Sequence, residues 1–368
     1  MFKESNKMRI GVYTFFRNNY GAVLQAYSLQ KTIKDLCPGD EVLMVDFRTE
    51  YHKSLERVFR RRSPNPLYNF IWQVHALLRY NQLKKKCDSF REFKNQFDYT
   101  DCYSSQSELL KNPPLLDIHL SGSDQVFNPK REYRDVYYLK FKKGNSRKIA
   151  YSPSFGINEF SDDDTQYIKR ILSDFDFLSC RETEGALFMS SLLGKDIPQV
   201  MDPVFLTTAE QWRSIEKKPM FNGHYVFVYS LKDTRRVLRF AKKNYPDATL
   251  VLLSPNDLRF YSGCKHIYYP GPSDYLGLID NADAVVTDSF HGTAFSVIFG
   301  KEFKTIITRQ DVSIRIKTLL SLLGLEKNIV SEGTAVPDSK IEYKDKLKQL
   351  ITDSLAYLNA SLHSDPIR

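Results

Sequence analysis

The chain has 368 residues, 42% hydrophobic and 13% aromatic, which is more than one core usually holds, so two domains are expected. Five cysteines (Cys37, Cys87, Cys102, Cys180 and Cys264), odd in number, without Cys-x-x-Cys spacing or a nearby histidine cluster, argue against a disulfide framework or a zinc site and for a reducing, cytoplasmic compartment. The net charge of +9 is concentrated in one segment, which speaks against a general nucleic-acid footprint, and no apolar run has signal-peptide or transmembrane length.

Residues 9–15 read as a strand, Arg17-Asn18-Asn19-Tyr20-Gly21 as a turn, 22–36 as a helix and 41–47 as the second strand of a βαβ unit. The Asn19-x-Gly21 turn either starts the helix and nothing more, or faces a ligand. A basic segment follows. Between Tyr51 and Phe97 stand eleven Lys and Arg against three Asp and Glu, a net +8. Within it Leu67, Phe70, Ile71, Val74, Leu77 and Leu78 recur at three- and four-residue spacing, predicting an amphipathic helix. The segment 51–97 therefore reads as an insertion over the first domain. Its apolar stripe either packs on that domain or lies, with the cations, on an anionic surface such as phospholipid head groups.

Residues 117–120 form the next expected strand, leading to Ser121-Gly122-Ser123-Asp124, a small-residue turn that lets backbone approach a ligand. Asp124 either contacts that ligand or orders the loop. After a strand at 149–152 and a helix opened by Asp162-Asp163-Asp164, a strand at 177–180 ends in Arg181-Glu182. Arg181 is placed to clamp a carboxylate or phosphate with its planar fork, or to pair with Glu182 or Glu184. Residues 199–206 read as the last strand of this half, and the polar stretch 207–222 as the junction.

A second alternation follows, with strands at 224–230, 248–253, 266–269 and 303–308, helices at 273–281 and 312–323, and a final helix at about 341–362. Lys232, just after its first strand, is either a surface cation or a second one facing the cleft. The most informative stretch is 284–300: a buried strand to Thr287, two N-cap residues in Asp288 and Ser289, and a helix that Gly300 stops. His291 falls in the first helical turn, where open N–H groups and the positive dipole end favour an anion. A bound phosphate and the neighbouring Asp288 are expected to favour its imidazolium form. Two strand and helix blocks imply an α/β protein of two Rossmann-like domains facing a cleft.

Three motifs carry a resemblance. Asn19-Tyr20-Gly21-Ala22-Val23-Leu24-Gln25, Gly122-Ser123-Asp124-Gln125-Val126-Phe127-Asn128-Pro129 and Asp288-Ser289-Phe290-His291-Gly292-Thr293-Ala294-Phe295, in this order along the chain, resemble the polysaccharide pyruvyl transferase family over about residues 8–310. Where members often carry Arg-Leu-His, this chain has Ser289-Phe290-His291. The resemblance implies a glycosyltransferase-B-like fold, with residues 1–206 on the acceptor side, 223–340 on the donor side and a helix in 341–368 that crosses back to the first domain. It implies transfer of the pyruvyl group of phosphoenolpyruvate onto two hydroxyls of a sugar, in a polysaccharide or its lipid-linked precursor, with a cyclic ketal and phosphate as products.

Phosphoenolpyruvate is then a co-substrate, and neither a metal nor a redox cofactor is expected. Family members carry a donor-contacting arginine in an Arg-Glu pair like Arg181-Glu182, and the implied chemistry is met with His291 as the acid, Arg181, Ser289, Phe290, Gly292 and Lys232 at the donor, and Asn19, Tyr20, Gly21, Ser123 and Asp124 at the acceptor. A polyprenyl-diphosphate-linked acceptor would hold the protein peripherally at the inner face of a membrane. Two other readings use the same residues: a nucleotide-sugar-dependent glycosyltransferase, or a non-catalytic carbohydrate- or membrane-binding module.

Overall fold

The computed structural model describes residues 7–142, 144–219, 223–254, 259–308, 310–330 and 343–364. The first sheet holds β1 (Arg9–Tyr13), β2 (Glu41–Met44), β3 (Ile118–Ser121), β4 (Arg147–Ala150) and β5 (Phe177–Leu178), in the order β2-β1-β3-β4-β5. The second holds β6 (Val226–Tyr229), β7 (Leu250–Leu253), β8 (Lys265–Ile267), β9 (Ala284–Thr287), β10 (Glu302–Ile306) and β11 (Ile329–Val330), in the order β11-β10-β9-β6-β7-β8. Every pairing is parallel. Helices cover both faces, so central strands such as Val226–Tyr229 and Ala284–Thr287 are buried at every position and read as continuous apolar runs.

The strand orders locate the cleft. In the first sheet the chain leaves β1 toward β2 and returns on the other side as β3; in the second it leaves β6 toward β7 and returns as β9. Between such strands the connections part and a crevice opens at their carboxyl ends. Register aligns those ends, with Tyr13 beside Ser121 and Tyr229 beside Thr287. The turns after β1 and β3 thus meet those after β6 and β9.

The floor of the cleft is packed. One hydrophobic core joins Val23 and Leu24 of the helix Tyr20–Leu36 to Trp212, Tyr275 and Phe295. The Tyr20 ring stacks on Tyr275 at 4.8 Å and 12°, and its hydroxyl donates to the Pro270 carbonyl at 2.8 Å. The helix Lys344–His363 lies on the first half: Arg147 Nη1 donates to the carbonyls of Ser361 (3.0 Å) and Leu362 (2.7 Å), and the Met201 N–H donates to Ser354 Oγ at 2.9 Å. The expected start of this helix at Ile341 lies outside the described residues.

One expectation is corrected here and one open alternative is decided. Residues 199–206 are not a strand. Gln199 makes one isolated bridge to Cys180, and Pro203–Phe205 is a short 3-10 turn whose Val204 N–H is taken by the Asp202 carboxylate at 3.1 Å. Pro203 has no N–H to give a ladder, and Asp202 caps the turn that Pro203 opens. The second concerns the insertion, where the apolar stripe does not pack on the first domain. In the helix Pro66–Leu78 only Trp72 and Ala76 are buried, while the next helix, Tyr80–Lys94, docks through Leu83, Phe90 and Phe93.

Candidate active site

The site is assembled from the end of β9 outward. The Asp288 carboxylate accepts from Ser230 Oγ (2.9 Å) and from the N–H groups of Leu231 (2.6 Å), Lys232 (3.1 Å) and Asp233 (3.1 Å). It is committed to tying the turn after β6 to the end of β9. Ser289 caps the helix Phe290–Ile298, its Oγ accepting from the Gly292 N–H at 3.3 Å, while its own N–H donates to Thr287 Oγ1 at 3.0 Å. Any side chain at Gly292 would press on Thr287, since a Cβ would stand 2.5 Å from Oγ1. Ser289 and Gly292 therefore build the helix end, and the N–H groups of Phe290 and His291 remain at its open first turn.

His291 is buried, and its Nε2 makes no hydrogen bond. The nearest carboxylate oxygen in an ion pair with it is Asp202 Oδ2 at 3.8 Å. Burial pushes the imidazole below its ordinary value, and the carboxylates of Asp202 and Asp124 oppose that push. The expected role of Asp288 beside the imidazole thus falls to these two residues, because Asp288 is spent on the β6 turn.

Asp202 binds three partners. Its Oδ2 accepts from Arg181 Nη1 at 2.5 Å and from Ser123 Oγ at 3.3 Å, and its Oδ1 from the Val204 N–H. Arg181 is 4% exposed and does not line the cavity. Its Nε bonds Glu182 at 3.3 Å, its Nη2 stands 3.9 Å from Asp124 Oδ1 without a hydrogen bond, and its guanidinium lies 4.7 Å from the Phe290 ring centre. Burial alone would lower its pKa, yet Glu182, Asp202 and Asp124 raise it overall and hold the guanidinium charged. Ser123 is also buried, donating to the Ser152 carbonyl at 3.0 Å. Tyr20 is held by Tyr275 and Pro270, and Gly21 lies under the His291 ring.

The cavity has a volume of about 760 Å³. Of the residues expected from the sequence, Asn19, Asp124, Lys232, Ser289, Phe290 and His291 line it. Asp124 is held at φ 67° and ψ −170°, a region sparsely populated outside glycine, and such conformations cluster at functional sites. Burial would raise its pKa, but Arg181, His291 and Arg315 hold the carboxyl below its ordinary value. Gly122, at φ 130°, makes this approach feasible, since a Cβ there would meet the Tyr151 carbonyl oxygen at 1.9 Å.

Four further cations on the wall escaped the sequence reading: Arg17, Lys130, Arg131 and Arg315. Arg17 Nη2 stands 2.6 Å from His52 Nε2, Lys130 pairs with Asp164, and Arg131 bonds Gln125 Oε1 at 2.5 Å. Arg315 comes from the helix Gln310–Leu323, and its guanidinium is 5.9 Å from the Phe290 ring centre. Asp202 was missed as well, although Asp-Pro is a recognisable turn-start signature. With Lys232 the wall carries five permanent cations, against Asp124, Glu132 and the already bonded Asp288. Such a site suits a small polyanion beside an imidazole and an ionised carboxylate. Among the described residues no group of three or more His, Cys, Asp and Glu is placed to hold a metal ion.

A family model described as polysaccharide pyruvyl transferase matches residues 19–306. No curated protein matches the chain. Among solved structures, the chain is similar to a putative UDP-N-acetylglucosamine 2-epimerase from Listeria monocytogenes, at 11% identity and a TM-score of 0.50 over 98% of both chains. A UDP co-structure of MnaA from S. aureus is similar at 11% identity and a TM-score of 0.50, over 98% of this chain and 92% of that one. At this identity the likeness concerns the fold alone: two Rossmann-like domains in the glycosyltransferase-B-like arrangement.

Proposed function

The chain belongs to the polysaccharide pyruvyl transferase family, and we propose that its cleft moves the pyruvyl group of phosphoenolpyruvate onto two hydroxyls of one sugar, closing a cyclic ketal and releasing phosphate. The observation that supports this most is the placing of His291 on the wall of a cation-rich cavity, in the open first turn of its helix and 3.8 Å from the Asp202 carboxylate.

The chemistry divides among the residues present. Donor carboxylate and phosphate bind to Arg315 and Lys232 and to the N–H groups at the Ser289 cap. His291 gives its proton to C3 of the donor while positive charge develops at C2. A sugar hydroxyl attacks C2, its proton passing to Asp124, which Arg181, His291 and Arg315 keep ionised. Phosphate then leaves, taking with it the proton held by Asp124, and the second hydroxyl closes the ring, its proton returning to His291. Arg181 holds Asp202 in place behind the imidazole and acts as a positioning residue. Asn19 and Asp124 face the sugar, while Tyr20, Gly21 and Ser123 support them from behind.

Members of this family modify polysaccharides, and we place the acceptor sugar on a polyprenyl-diphosphate-linked precursor at the cytoplasmic face of a membrane. Phosphoenolpyruvate labelled in its pyruvyl carbons, incubated with a panel of sugars and lipid-linked sugars, tests the reading. Phosphate release that depends on the acceptor, with label entering the sugar product, is expected. Nucleoside diphosphate release from a nucleotide sugar, or no turnover of either donor, would overturn it.

A further inference from the structure

We propose that the outward face of the helix Pro66–Leu78 is an interfacial anchor that lies in the headgroup boundary of an anionic lipid bilayer. Leu67, Phe70, Ile71, Val74, Leu77 and Leu78 are 65%, 66%, 48%, 43%, 68% and 79% exposed. Their spacing places them on one side of the helix, so they form a continuous apolar stripe rather than scattered surface residues. Stripes of this kind on a soluble surface mark a binding face.

The outward orientation is built in. On the opposite side Trp72 and Ala76 are buried in a small cluster with Leu83, against which Val58 and Tyr269 pack. The Arg62 guanidinium lies 3.5 Å from the Trp72 ring centre and covers it. The helix is therefore held to the protein by its narrower apolar side, with the broader side turned to solvent. Phe59 and Tyr80, stacked at 5.8 Å and 46% and 40% exposed, extend the patch.

Charge selects a bilayer as the occupant. The helix carries no acidic residue, and the segment from Tyr51 to Phe97 has eleven Lys and Arg against three Asp and Glu. Arg57, Arg61, Lys84, Lys85 and Arg91 are exposed. Apolar side chains flanked by basic ones, on a helix too short to span, are the signature of an interfacial helix drawn to anionic lipid. Among the described residues no helix is long and apolar enough to cross a membrane. The segment also reaches the site, because Tyr51, in the helix Glu50–Leu55 that opens it, lines the cavity.

The inference rests on this surface and not on the pyruvyl-transfer reading. A protein that binds vesicles and transfers nothing leaves it standing, whereas one that transfers pyruvyl groups to soluble sugars and ignores vesicles overturns it alone. Full-length protein is floated with phosphatidylcholine vesicles, with and without phosphatidylglycerol, at low and high salt. Binding to the anionic vesicles at low salt is expected, weakened by salt and reduced roughly tenfold or more in Phe70→Ser/Leu77→Ser/Leu78→Ser. The exposed-cation variant Arg61→Gln/Lys84→Gln/Lys85→Gln should lose the preference for phosphatidylglycerol. Neither variant touches the packed side, so melting temperatures should stay near wild type. Absence of binding at low salt, binding unchanged in both variants, or a dimer in solution that the triple serine variant dissociates would each overturn the proposal.

Discussion

The imidazole of His291 lies directly on Gly21: a Cβ at position 21 would stand 2.0 Å from Nδ1 and 2.5 Å from Cγ. The helix of one domain thus presents bare backbone to the proposed acid of the other. Gly21→Ala should displace the ring from the position it holds against the bare backbone at residue 21. A displacement of about 1 Å at a reacting group lowers turnover on the order of a hundredfold. Acceptor-dependent phosphate release should fall by that order in the variant, with circular dichroism unchanged; near wild-type kcat would show that the ring position is not critical.

Asp202→Asn removes the carboxylate shared by Arg181 and His291. Breaking a buried pair from one side costs about 3 kcal/mol, here eased because Glu182 stays beside Arg181. The sharper readout is the pH profile. Asp202 opposes the lowering of the His291 pKa by burial, so its loss should move the loss of active acid to lower pH. A stability decrease without a shifted profile would make Asp202 purely structural.

Donor binding should take up a proton. Burial holds free His291 below its ordinary pKa, and a bound phosphate favours the imidazolium form. Calorimetry of phosphoenolpyruvate binding near neutral pH, in buffers of differing ionisation enthalpy, should give a slope of up to one proton in wild type. The slope should vanish in His291→Asn.

Arg315 and Arg181 should separate in their effects. Arg315 lines the cavity and Arg181 does not. Arg315→Ala should weaken phosphoenolpyruvate binding by roughly 1.5–3 kcal/mol, the size of a charge-assisted contact. Arg181→Ala leaves Asp202 and Glu182 without their cation and should lower the melting temperature markedly. Equal loss of donor affinity in both variants, at unchanged stability, would return Arg181 to the donor.

Acid stability gives an independent check on the first domain. His119 is buried, its Nδ1 2.8 Å from the Tyr13 hydroxyl, and burial and Lys148 bring its pKa down to about 4 from 6.5. The unfolded chain therefore binds a proton between pH 6.5 and 4 that the folded chain refuses. The contribution of His119 to stability is constant above this window and is lost as pH drops through it, by roughly 3 kcal/mol at about 1.4 kcal/mol per pH unit. Denaturant titrations of wild type and His119→Asn across the window should show the slope reduced in the variant.

Much of this arrangement was legible in residue order. The run 284–300 marked a strand, a cap and an imidazole, because period and capping chemistry are local properties. Asp202 was obscured by the apolar residues around it, and Arg315 by an ordinary amphipathic helix. Both become site residues only when distant segments meet. The role of Asp288 was misread for the same reason, since its partners at 230–233 are remote in sequence. The stripe at 67–78 was visible, yet periodicity tells that a helix has an apolar side and not which way that side turns.

The helix Lys344–His363 imposes an order on synthesis. Leu358 and Leu362 are fully buried against the first half, and Arg147 and Met201 spend hydrogen bonds on this helix. The second sheet is thus, in connectivity, a long insertion into the first domain. Domains generally fold from the N-terminus while the chain is being made, but this first domain cannot seal its surface until residues 344–363 have left the ribosome. The second sheet, from Val226 to Val330, is therefore made before the helix that completes its neighbour.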